Sequence, residues 1–119
     1  MTTIFHITKR GEWERAQREG VYRAPSLASE GFIHCSRGDQ VLRVADRLFR
    51  GRTGLVLLEI DAGRVRAEIR YENCEGGQED FPHVYGPLDL DSVARVFEFE
   101  PREDGSFAMP SRPEGESSD

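Results

Sequence analysis

The sequence predicts an α+β fold with one core, and three observations carry that expectation. Segments 9–19 and 39–49 place apolar residues at helical spacing. Short runs rich in β-branched and aromatic residues fill most of the remainder. The order is strand, helix, strand, helix and then mostly strands, unlike the regular alternation of a doubly wound parallel sheet. A chain of 119 residues suits one domain, expected over residues 1–109. From Pro110 the composition turns to Ser, Pro, Glu, Gly and Asp. Such a stretch cannot bury enough apolar surface to fold, so 110–119 reads as a disordered acidic tail.

Thr3–Thr8 is β-branched and aromatic, a strand. Lys9–Glu19 follows as a helix with a narrow inward stripe of Trp13, Ala16 and Gln17, stopped by Gly20 as a C-cap. Val21–Glu30 reads as irregular, with Pro25-Ser26 opening a turn or a single helical turn. Phe32–Cys35 is a short apolar strand. Ser36 is a good N-cap for the next helix, and Asp39 three residues later imitates a capping box. Val41, Val44, Ala45, Leu48 and Phe49 recur at helical spacing, predicting an amphipathic helix over Asp39–Phe49. The unbroken apolar run in Leu55–Ile60 implies a central strand buried on both faces. Arg66–Tyr71, Phe81–Tyr85 and Val93–Glu100 are further strands. Asn73–Asp80, with Gly76-Gly77, is a flexible polar loop, and Glu103-Asp104-Gly105 is a turn.

Composition excludes several functions. The net charge is −6, with 22 acidic against 16 basic residues, the wrong balance for a general nucleic-acid binder. The longest apolar run, Leu55-Val56-Leu57-Leu58, falls far short of the ~20 residues that a membrane span needs. The N-terminus lacks the basic and apolar regions of a signal peptide. Cys35 and Cys74 make no disulfide framework, so both are expected as free thiols in a reducing cytoplasm. A monomer or weak dimer is the expected state.

All three histidines lie inside short apolar segments: Phe5-His6-Ile7, Phe32-Ile33-His34-Cys35 and Phe81-Pro82-His83-Val84-Tyr85. Histidine is the side chain that titrates nearest neutral pH. Strand alternation puts His6 with Ile4 and Thr8, His34 with Phe32, and His83 with Phe81 and Tyr85. Each histidine thus stands on a mixed polar and apolar face suited to a small-molecule cleft, unless each merely satisfies a backbone carbonyl. Ser26, Ser36 and Glu72 are candidate ligand contacts, the last on the rim beside the glycine loop. Zinc is a competing reading, but His34 and Cys35 point to opposite faces, and no Cys-x-x-Cys or His-x-x-x-His spacing occurs. No metal is expected.

Several motifs carry a resemblance: Phe5-His6-Ile7, Trp13 and Ala16, Gly20-Val21-Tyr22, Ser26-Leu27, Glu30-Gly31-Phe32-Ile33-His34-Cys35-Ser36, Gln40, Phe81-Pro82-His83-Val84-Tyr85-Gly86-Pro87-Leu88 and Asp104-Gly105-Ser106-Phe107. In this order they resemble a bacterial family catalogued as domain of unknown function 952, over about residues 3–110. That family looks like a member of the ADP-ribosyltransferase-like fold, and the pattern is similar to the catalytic half of the RNA 2′-phosphotransferases. Phe5-His6, Gly20-Val21, Ile33-His34-Cys35-Ser36 and Ile60-Asp61 carry that second likeness. The resemblance implies a mostly antiparallel split sheet or half-barrel with two main helices in the N-terminal half.

It also implies a nucleotide-type ligand, with NAD as a substrate, and His6 bonded to a ribose hydroxyl. His34 would then contact a phosphate or ribose, His83 would act as acid or base, and Phe32 or Tyr85 would stack on a base. Two features depart from the pattern. The segment expected to carry a catalytic glutamate reads Phe-Pro-His-Val-Tyr, with His83 in its place. The RNA-binding part of the phosphotransferases and most of their catalytic arginines are absent. The implied activity is ribosyl or phosphoryl transfer or hydrolysis. The alternatives are a non-catalytic nucleotide-binding or regulatory module and a metal-dependent hydrolase.

Overall fold

Leu55–Asp61 forms strand β5, and its apolar run does what the sequence predicts. It lies between β1 (Thr3–Lys9) and β9 (Val93–Phe99) in a four-stranded sheet whose other edge is the two-residue β4 (Ser36–Arg37). The computed structural model describes residues 2–73, 77 and 79–110. The rest, including Cys74, Gly76 of the expected polar loop and all of the 110–119 tail but Pro110, lie outside the described residues. Val56, Leu58 and Ile60 of β5 enter one core cluster with Ile4, Tyr22, Ile33, Val84 and Leu88. Leu55 and Leu57 enter a second, with Phe5, Ile7, Val41, Ala45, Phe99 and Phe107. Alternation along one strand thus holds two cores apart.

A second sheet of three strands, ordered β3 (Ile33–His34), β7 (Phe81–Tyr85) and β6 (Glu68–Glu72), sits apart from the first. A third sheet pairs β2 (Val21–Tyr22) with β8 (Leu88–Asp89). Every described pairing is antiparallel, and the architecture is α+β with sheets that do not close. Three helices complete it: α1 (Arg10–Glu19), α2 (Pro25–Glu30) and α3 (Val41–Leu48). No helix among the described residues is long and apolar enough to cross a membrane.

Two expectations need correction. Residues 21–30 are not irregular, because they hold β2 and the six-residue α2. Pro at the first turn sets φ for the helix, and Gly31 ends it at φ +90, returning its N–H to Leu27 C=O at 3.0 Å. Ser36 is not a helix cap. It is buried in β4 opposite Phe5, and α3 starts later, at Val41, with Gln40 in the capping position. The local cap signal of Ser36 loses to a tertiary bond set. Gln40 is fully buried; its side chain accepts from the Arg37 N–H at 2.9 Å and donates to the Asp80 carbonyl at 2.9 Å. The turn near 103–105 is present, with Gly105 at φ +90 and its N–H on Arg102 C=O at 2.8 Å. It folds the chain back so that Phe107 stacks on Phe99, ring centres 4.7 Å apart.

Leu58 is fully buried on β5 with His6 and Val96 as cross-strand neighbours. Leu58→Ala is therefore expected to lower stability by about 2–5 kcal/mol in urea unfolding. A loss below about 1 kcal/mol would mean that the central strand is not the core.

A cleft between the two sheets

Strand β1 is hydrogen-bonded to β5 along its whole length but to β4 only at Ile4 and Phe5. The bonds Arg10 N–H to Gly54 C=O and Ala62 N–H to Thr2 C=O, both 2.9 Å, fix which β1 residues aim their backbone at β5. By antiparallel alternation these are the even-numbered ones, so Phe5 and Ile7 aim theirs at the outer edge. Among the described residues no strand pairs with that edge beyond Phe5. There the fold opens into a cleft of about 560 Å³. One wall is α3, through Val44, Arg47 and Leu48. The other is built from α2 and the β3–β7 sheet, through Ser26, Glu30, His34 and His83. All three histidines line it, together with Ser26 and Ser36.

His6 stands where β1 meets the second sheet, and both of its ring nitrogens are used by the protein. Nδ1 lies 2.5 Å from the His34 carbonyl, and Nε2 lies 2.7 Å from the Tyr22 hydroxyl. A carbonyl only accepts, so Nδ1 carries the proton. Burial pushes the His6 pKa down to about 4, against a smaller upward pull from the His34 carbonyl. The ring is thus neutral at pH 7, and Nε2 accepts from Tyr22 O–H. The Tyr22 and Thr8 hydroxyls are 2.9 Å apart, and donor balance then makes Thr8 the donor. The result is a chain, Thr8 to Tyr22 to His6 to the His34 carbonyl. Burial raises the Tyr22 pKa, which keeps its proton on.

His34 and His83 are directly opposite across the β3–β7 pair, their ring centres 5.3 Å apart and near perpendicular. Ile33 and Val84 between them point the other way into the core, as strand alternation requires. His34 is the exposed member, with Nε2 3.1 Å from a Glu30 carboxylate oxygen. His83 is buried. Its Nδ1 is 3.0 Å from Glu72 Oε1 on the adjacent strand β6, and Tyr85 O–H donates to the same oxygen at 2.6 Å. These two bonds, Tyr85 first, hold the Glu72 pKa below the ordinary carboxylate value. Phe32 stacks on His83 at 4.2 Å and touches Tyr85 at 5.2 Å. Phe32, Tyr85 and Glu72 are thus a layer behind His83 and are not among the cleft-lining residues.

Ser26 donates to the Phe32 carbonyl at 2.7 Å, tying α2 to the strand that carries His34. The entry to β7 is clamped by Gln40, by Arg37 on the Asp80 carbonyl at 3.0 Å, and by Arg43 on Glu79 at 2.6 Å. The Arg43 bond first, and Gln40 second, draw the Glu79 carboxyl down to about 2. Cys35 packs in the core with Ile33, and burial raises its thiol pKa to about 12, so it is a small apolar residue rather than a nucleophile. Tyr22, Thr8 and Glu30 are polar partners of the histidines that sequence reasoning did not select. For Tyr22 the signal is non-local, since only the folded chain shows that residue 22 reaches residue 6, whereas Thr8 shares a strand face with His6 and Glu30 lies four residues before His34.

The neutral His6 makes a pH test. The unfolded chain protonates His6 as pH falls through about 6.5, whereas the folded chain resists until about 4. Stability is full above that window and declines within it by about 3 kcal/mol. Urea unfolding from pH 7.5 to 4.5 should show the decline, and His6→Asn should remove that portion of it. An NMR titration in which the His6 ring proton shifts near pH 6.5 would overturn the assignment.

The chain matches the model of the family described as "Protein of unknown function (DUF952)" over residues 7–96. Among solved structures it is similar to protein CC0527 from Caulobacter crescentus. The X-ray structure of CC0527 is 34% identical, covering 90% of this chain and 94% of that one, with a TM-score of 0.81. A double mutant of CC0527 gives the same figures, and the solution NMR structure gives 36% identity, 89% and 91% coverage and a TM-score of 0.78. No curated protein matches. The family model spans residues 7–96, well over half of the 119 residues: the chain belongs to the DUF952 family.

Proposed function

We propose that the cleft binds a nucleotide-type small molecule, of the class of NAD or ADP-ribose, and that His83 serves there as acid or base. The carrying observation is the His83–Glu72 pair, 3.0 Å apart and backed by Tyr85 and Phe32. A carboxylate that accepts a hydrogen bond from Nδ1–H fixes the ring's tautomer and leaves Nε2 as its proton-accepting atom. Glu72 does not replace the carboxylate expected within the segment 81–85, because it faces the back of the His83 ring rather than the cleft. Because Glu72 sits behind the imidazole, it is a positioning residue.

His34, half-exposed beside Glu30, is the residue of the three best placed to touch a ligand phosphate or ribose. His6 shapes the floor: with both nitrogens held by Tyr22 and His34, it sets wall geometry and lends a ligand little hydrogen-bonding capacity. The ADP-ribosyltransferase-like fold suits this reading, since an open split between antiparallel sheets is where its ligand would lie. Transfer or hydrolysis at a ribose or phosphate is the implied chemistry. Metal-dependent hydrolysis has less support, because among the described residues no three His, Cys, Asp or Glu side chains are grouped to hold an ion.

Calorimetric and thermal-shift titration with NAD, ADP-ribose, nucleoside phosphates and short RNA ends tests the reading, and silence across the whole panel would end it. If the domain is catalytic, His83→Ala abolishes turnover and Glu72→Gln lowers it by about 10²–10⁴-fold with unchanged thermal stability. If it is a binding module that lost its chemistry, the same variants only weaken binding.

A further inference from the structure

Most arginines of the described fold are neutralised. Arg10 is tied to Glu98, Arg37 and Arg43 to Glu79, Arg66 to Asp89 and Asp91, and Arg70 to Glu68. Lys9 and Arg52 differ. Both line the cleft, both are exposed, and neither has a carboxylate within 4 Å among the described residues. The fold brings them to one end of it. Lys9 pairs in register with Leu55, and Arg52 sits three residues earlier, in a turn closed by its own N–H on Phe49 C=O at 2.9 Å. Alternation puts the Lys9 side chain on the α3 face of β1, with Phe5 and Ile7. The Arg52 guanidinium lies 5.7 Å from the Phe49 ring centre. Glu12 is the one carboxylate lining this side among the described residues, and it is 3.9 Å from Arg15.

We propose that this end of the cleft is an anion subsite, in which Lys9 and Arg52 take the phosphoryl group of the ligand. The inference rests on the cleft being the ligand site. A protein of net charge −6 repels anions at long range. Two cations kept free of carboxylates on a cleft wall overcome that repulsion locally and give an anionic ligand its orientation. The apolar flank beside them, from Val44, Phe49 and the exposed Leu48, lowers the local dielectric and strengthens the attraction. The phosphoryl group then lies at the α3 end, and the rest of the ligand extends toward His34 and His83.

The probe is inorganic pyrophosphate, which carries no nucleoside, titrated into the protein and followed by amide NMR shifts. Shifts confined to residues near 9–12 and 50–55 are expected. Lys9→Gln and Arg52→Gln should each weaken pyrophosphate binding about 3- to 10-fold and flatten its salt dependence, with an unchanged melting temperature. Titration to saturating concentration without shifts there, or variants that bind like wild type, would overturn the subsite. Adenosine binding sensed at His34 and His83 while pyrophosphate fails would reject the subsite and leave the nucleotide reading intact. Pyrophosphate binding at Lys9 and Arg52 with no nucleotide in the panel bound would do the opposite.

Discussion

The bond from His6 Nδ1–H to the His34 carbonyl is the contact on which the arrangement of the cleft depends. It joins the four-stranded sheet to the three-stranded one at the place where no described strand pairing does so. A buried neutral imidazole is well suited to that task, because it offers one donor and one acceptor in a fixed plane. Its acceptor side is filled by Tyr22, which reaches in from β2, and Thr8 completes the chain from β1. Three strands, β1, β2 and β3, are therefore registered against one ring. Protonation would put a charge in the core and reverse the polarity needed at Nε2, which is why burial drives its pKa so low.

The same bond explains why the two other histidines meet. With the His34 carbonyl held toward His6, its side chain points to the opposite side of β3 from Ile33, across from His83. Burial of Ile33 and Val84 in the core locks that register, since a slip by one residue would exchange every inward side chain for an outward one. Behind His83, Phe32 stacks on the ring and Tyr85 shares the Glu72 oxygen with it, and Gln40 anchors the start of β7 to α3. The cleft is thus walled mainly by two sheets and the helices α2 and α3, with the turn that carries Arg52 at one end.

Much of the fold is legible in the chain. The burial of β5 on both faces follows from its unbroken apolar run, and the two longer helices follow from their periods and from Gly20. Where local signals are weak or compete, they mislead. Ser36 has the chemistry of a cap, but its backbone is claimed by Phe5, and Gln40 occupies the capping position instead. Pro25-Ser26 understates a helix because six residues are too few to show a period. The assignment to the DUF952 family agrees with the motifs that pointed to it.

What the sequence determined by itself was which face of each strand a histidine occupies, because alternation is a local property of the backbone. It also determined that the histidines sit among apolar neighbours and that the net charge of −6 disfavours general nucleic-acid binding. Only the tertiary structure decided which strands pair and in what register. That register set His83 against Glu72, put Tyr22 on His6, and left Lys9 and Arg52 unneutralised at one end of the cleft. The reason is physical: these partners are far apart along the chain, and their approach is the outcome of burying two cores at once.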